Sequence, residues 1–184
     1  IYLNDLLKSE FKNERHIWAK LTILDNLGKD LELENYIDEV LKEFPRYTFA
    51  HHKRGWKLFQ KKKYSEAINH FDKAILTSQY FHLSQFVIAQ CLEKLKKYDE
   101  ALFLYDNIKD TWDASEAKTL SGEELWFRQA VCYAVLGKDE DALKLLTEII
   151  THCIDETKKS WQTKIESEFE FKKYKDKKEF KEIL

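Results

Sequence analysis

The apolar positions of this chain recur as a phrase. Lys62-Lys63-Tyr64-Ser65-Glu66-Ala67-Ile68 returns 34 residues later as Lys96-Lys97-Tyr98-Asp99-Glu100-Ala101-Leu102, and Phe71 and Asp72 lie over Tyr105 and Asp106 at the same offset. A third version, Gly137-Lys138-Asp139-Glu140-Asp141-Ala142-Leu143, places Ala142 41 residues after Ala101, the same period plus a seven-residue insertion. A fixed period in this range marks stacked units, each too small to bury its apolar face alone. Each of Ala67, Ala101 and Ala142 has a second small residue 12 positions upstream, at Gly55, Ala89 and Ala130. Small side chains let two helices approach closely, so these pairs predict the crossing points of antiparallel helix hairpins. Tyr64 or Tyr98, in the connecting turn, covers the open end of each pair.

This combination of small residues, turn aromatic and second-helix aromatic resembles the tetratricopeptide repeat. The fullest copy is 48–81, through Gly55, Leu58, Tyr64, Ala67, Phe71 and Ala74. Residues 82–115 fit through Ala89, Leu92, Tyr98, Ala101 and Tyr105, and 123–156 through Trp126, Ala130, Tyr133, Gly137 and Ala142. A diverged copy, 14–47, keeps Leu24, Gly28, Ile37, Val40 and Pro45 in register but has Leu21 and Leu33 where small residues belong. The resemblance implies an all-α, right-handed superhelical solenoid of about four hairpins with flanking helices.

The ends extend this expectation. Leu3, Leu6, Leu7 and Phe11 fall at helical spacing, so 1–13 is expected to be the second helix of a partial preceding repeat or an N-terminal cap. Residues 157–184, rich in Lys and Glu and ending Phe180-Lys181-Glu182-Ile183-Leu184, resemble the closing segment of bacterial arrays and are expected to cap the stack with a polar face. The insertion falls near 110–122, as a longer helix or a loop.

Composition narrows the picture. Four Gly and one Pro in 184 residues are too few for a many-turned β-sandwich. The net charge of −2 argues against a general nucleic-acid binder, and the nine Lys after position 157 are interleaved with six acids, as on a solvated helix face. No apolar window is long enough for a membrane span. Cys91, Cys132 and Cys153 show no C-x-x-C spacing and suit reduced thiols, which points to a cytoplasmic location. The lack of Met suggests a processed or trimmed chain, for which a removed leader would be invisible.

Catalytic chemistry is hard to find. The six His include no H-E-x-x-H and no pair four apart on one helix face. There is no G-x-S-x-G, P-loop or G-x-G-x-x-G, and acidic runs such as Asp139-Glu140-Asp141 fall at helix starts, where they complement the helix dipole. No enzyme activity, cofactor or metal is therefore expected.

The resemblance instead implies binding. First helices of such arrays line a concave groove, and register puts Trp18, His52, Phe86 and Phe127 on one turn of it and Trp56, Gln90 and Val131 on the next, with Phe49 and Phe59 flanking. Aromatic anchors dominate interface energies, so the expected role is a non-enzymatic scaffold holding an apolar or amphipathic peptide or protein segment. The family's clamp for the C-terminal carboxylate of chaperone tails uses Lys, Asn and Arg at set positions. Here only Arg128 fits by type, which disfavours that partner. An adaptor segment of a larger enzyme with its catalytic part upstream is the alternative, and self-assembly through an open N-terminal hairpin a weaker one.

Overall fold

A computed structural model describes residues 14–75, 81–111 and 121–184. The partial repeat or cap expected at 1–13, and residues 112–120 of the insertion expected near 110–122, lie outside the described residues. Within them the regular elements are helices and no strand occurs: α1 (Glu14–Asn26), α2 (Asp30–Glu43), α3 (Thr48–Gln60), α4 (Tyr64–Ala74), α5 (Phe81–Lys94), α6 (Tyr98–Thr111), α7 (Gly122–Val135), α8 (Asp139–His152), α9 (Asp155–Ser167), a 3-10 helix (Phe169–Tyr174) and α10 (Lys178–Ile183). The chain divides into two compact units, 1–84 and 85–184.

Each hairpin turn is built the same way. Gly28, Lys62, Lys96 and Gly137 all adopt positive φ, between 60° and 76°. Around Lys62, its own N–H donates to Phe59 O at 2.9 Å and the next N–H, of Lys63, donates to Leu58 O at 2.9 Å. Gly28, Lys96 and Gly137 carry the same two bonds. This is the Schellman closure, which satisfies the last carbonyls of one helix and launches the next. Glycine takes that conformation without steric cost, whereas a Lys side chain is strained there by about 1 kcal/mol. Lys62→Gly and Lys96→Gly are therefore each expected to stabilise the fold by about 0.5–1 kcal/mol, read as a higher urea midpoint. A lower midpoint in both would contradict this account of the turns.

The crossings are closely filled. A Cβ added to Gly55 in α3 would lie 2.9 Å from three atoms of the Phe71 ring in α4. At the equivalent crossings Ala89 faces the register of Tyr105, Ala130 that of Leu146, and Leu21 that of Ile37, all fully buried. Leu21 opposite Ile37 makes an aliphatic pair where the other crossings set a small residue opposite a larger one. This explains how the diverged first copy packs without small residues.

In unit 1, Ile17, Leu21 and Leu24 of α1 and Leu33, Tyr36, Ile37 and Val40 of α2 form one cluster with Phe49 and Ala50. Their i, i+3, i+4, i+7 spacing is what makes these segments amphipathic helices. In unit 2, α7 and α8 share a core with Ile165 and with Phe171, Tyr174, Phe180 and Ile183 of the C-terminal segment. Burying each of those four contributes about 2 kcal/mol. Polar bonds then fix the segment. Asp139, at the start of α8, accepts from Lys173 Nζ at 2.5 Å, Tyr174 Oη at 2.8 Å and Lys177 Nζ at 3.3 Å, and these bonds, Lys173's foremost, hold its carboxyl at about 2. Gln162 Nε2 donates to the carbonyls of Ile183 and Leu184 at 3.1 and 2.8 Å.

Candidate functional site

In unit 1 the first helices α1 and α3 carry five of the residues singled out by register. Trp18 is 48% exposed, while its neighbour Phe49 is 8% exposed with ring centroids 6.1 Å apart. Polar side chains border this pair. Lys53 Nζ sits 5.2 Å from the Phe49 ring centre and donates to Asp25 at 2.6 Å, and Lys57 donates to Asp30 at 2.6 Å.

One turn along α3, His52 is 5% exposed. Trp56 Nε1 donates to its Nε2 at 3.0 Å, and its Nδ1 lies 3.3 Å from Ser84 Oγ. With Nε2 accepting, the ring is neutral and carries its proton on Nδ1. Burial above all, helped by the Lys53 charge, pushes its pKa down to about 4. Trp56 is half-buried and packs edge-on against Phe71 and Phe59 at 6.0 and 5.6 Å. Phe59 is half-buried and meets Tyr64, the turn aromatic, at 5.6 Å. The accessible part of this face is thus Trp18, with the edges of Trp56 and Phe59.

In unit 2, Phe86 is 5% exposed and tilts on Tyr105 at 5.6 Å. Gln90 is half-exposed and Val131 is buried. Phe127 is 1% exposed, with Trp161 and Phe171 each 5.8 Å away and Lys164 Nζ 4.5 Å from its ring centre. The capping role expected of 157–184 does not single out Trp161. The signal was present, since adding 34 to Phe127, Val131 and Ala134 gives Trp161, Ile165 and Glu168. Helix α9 therefore stands in first-helix register with α7.

The second feature the sequence did not disclose is a charged cluster in unit 2. Glu93, 7% exposed, accepts from Tyr105 Oη and faces Arg128 at 3.6 Å. Arg128 Nε donates to Glu124 at 3.0 Å, and Lys164 also donates to Glu124. Burial raises the Glu93 carboxyl against the pull of Arg128. Arg128, the one residue matching the carboxylate clamp by type, is thus already engaged by two carboxylates of its own unit.

Among the described residues no three His, Cys, Asp or Glu side chains gather as a metal cluster, and no helix is long and apolar enough to cross a membrane. The Cys91 and Cys132 thiols are buried and pushed up by that burial, Cys91 to about 12, so neither is a thiolate nucleophile.

Comparison with known proteins agrees with this architecture. The tetratricopeptide repeat family model matches residues 124–152. No curated protein matches the sequence. Among solved structures the fold is similar to that of YrrB, described as a TPR protein with an unusual peptide-binding site (TM-score 0.71, 14% identity, covering 100% of this chain and 89% of that one). It is also similar to MamA 41-end from Desulfovibrio magneticus RS-1 (0.65, 15%, 82% and 81%) and to PilW, a widely conserved type IV pilus biogenesis factor (0.63, 16%, 99% and 87%).

Proposed function

We propose that this chain, a tetratricopeptide-repeat protein, is a protein-interaction scaffold that holds a peptide or protein segment against the first-helix faces of its units. The observation that carries the reading is Trp18. A tryptophan 48% exposed, beside Phe49 and rimmed by the Lys53–Asp25 pair, is an apolar anchor in a polar surround, the composition of an interaction hot spot. The exposed edges of Trp56 and Phe59 extend it along α3 and favour an apolar or amphipathic segment. Phe49 and His52 enter this reading as the packed floor of unit 1's contact face, and Phe86, Phe127 and Val131 as buried positions of the first-helix face within unit 2. YrrB, whose description names a peptide-binding site, supports a peptide as the form of partner.

The test is retention of partners from native lysate on immobilised protein. Trp18→Ala is expected to weaken retention by about 2 kcal/mol, roughly thirtyfold, with far-ultraviolet circular dichroism unchanged. Trp56→Ala should weaken it as well, with some loss of stability because Trp56 packs on Phe71. Equal retention by both variants and the parent would sink the groove reading.

A further inference from the structure

The contact face of unit 1 contains an indole whose polar atom is already committed. Trp56 Nε1 donates to His52 Nε2 at 3.0 Å, one turn back along α3. An indole N–H can only donate, so the imidazole presents a lone pair there and carries its proton on Nδ1, which lies 3.3 Å from the buried Ser84 Oγ. Burial above all keeps that ring uncharged at neutral pH, and the charges of Lys53 and Asp25 act on it in opposite directions. Both rings are also fixed by packing. His52 meets Phe71 edge-on at 5.6 Å, and Trp56 meets Phe71 and Phe59 edge-on at 6.0 and 5.6 Å. The cations of the same helix are occupied as well, Lys53 by Asp25, Lys57 by Asp30 and Arg54 by Asp38. A partly buried donor left unbonded costs free energy and invites an acceptor from a ligand. Here the donor is satisfied from within the unit, so what the indole offers a partner is hydrocarbon.

We infer that His52 is a positioning and specificity-determining residue of the contact face: by taking the Trp56 N–H it fixes the indole so that this point receives an aliphatic or aromatic side chain of the bound segment and turns away amide and carboxylate groups. This rests on the scaffold reading above and names what the segment carries at α3. An amide or carboxylate set against the indole sheds water and gains no bond from it, whereas an aliphatic group sheds no polar hydration. The fixed ring also needs no ordering when the segment arrives.

The experiment uses three synthetic amphipathic peptides of one length, with Leu, Gln or Glu at the same central apolar positions, titrated into the full chain by fluorescence anisotropy. The parent is expected to bind the Leu peptide about tenfold tighter than either of the others. His52→Leu, which frees the indole N–H, should narrow that gap to about threefold or less, whereas His52→Gln, whose amide oxygen accepts the N–H, should retain it. A merely structural His52 would weaken all the peptides alike and leave the gap unchanged. A second measurement needs no variant. The nitrogen–nitrogen coupling across the bond from Trp56 Nε1–H to His52 Nε2 should persist when the Leu peptide binds. A gap that survives in a folded His52→Leu, or a coupling lost on binding, overturns the inference. So does equal binding of all three peptides, and if that equal binding still falls in Trp18→Ala, the scaffold reading stands alone. Binding of none of them overturns both.

Discussion

Gly55→Leu is expected to destabilise unit 1 by about 3 kcal/mol, the upper range for overpacking a filled core. The Cβ alone would meet the Phe71 ring at 2.9 Å, and that ring is fully buried and bounded by Trp56 and His52 at 6.0 and 5.6 Å. It has no space to retreat into. Gly55→Ala should destabilise less, by about 1 kcal/mol, because its Cβ already meets the confined Phe71 ring and the helix propensity gained offsets only part of that clash. The signature of the mechanism is a double-mutant cycle. Phe71→Ala alone should cost about 3–5 kcal/mol by leaving a cavity, and the leucine side chain introduced in place of Gly55 should partly fill that cavity, so Gly55→Leu/Phe71→Ala should cost clearly less than the sum. Strict additivity in urea denaturation would show that the two positions do not share one crossing.

Acid should unfold unit 1 before unit 2. Three histidines of the second hairpin are held neutral. His51 Nε2 donates to Pro45 O at 2.9 Å, its Nδ1 lies 3.0 Å from His70 Nδ1, and His52 takes the Trp56 N–H. Burial is the leading cause for all three. It lowers His51, assisted by Lys73, and lowers His70 to about 4, assisted by the neighbouring His51 and then Lys73 and Arg54; His52 is likewise at about 4. The folded values lie below the unfolded value near 6.5, so between about 6.5 and 4 the unfolded chain binds more protons. Stability is therefore complete above about 6.5 and declines as pH falls to about 4, by about 3 kcal/mol for His52. His70 adds a smaller amount, since it is half-buried and linked to His51. Unit 2 holds one histidine, the exposed His152. Its C-terminal segment is tied to Asp139, whose lowered value keeps those bonds until pH approaches about 2. Amide exchange at pH 5 should therefore show α3 and α4 opening while α7 and α8 stay protected. His52→Gln should flatten the acid limb, and an unchanged limb would rule out this cause.

The repeat phrase was enough to place the hairpins, because it encodes what a helix crossing needs: a small residue, its large partner 16 positions on, and a turn. The positive-φ turn was legible at Gly28 and Gly137 but hidden at Lys62 and Lys96, since Lys carries no sequence mark of that conformation. Register also located the first-helix positions, but it could not distinguish Trp18, largely open, from Phe127, covered by Trp161 and Phe171. Exposure depends on what stacks next, which lies elsewhere in the chain. The Glu93–Tyr105–Arg128 cluster was invisible for the same reason. Its members come from three helices, and each alone reads as an ordinary surface or core residue.

The central claim is that the first-helix face anchored by Trp18 is where a partner segment binds. Calorimetric titration of the partner retained from lysate against the parent, Trp18→Ala and Phe103→Ala tests it most directly, because Phe103 is 65% exposed on a second helix. The account predicts about thirtyfold weaker binding for Trp18→Ala and a change of no more than about twofold for Phe103→Ala. Loss of affinity in Phe103→Ala with Trp18→Ala unchanged would contradict it.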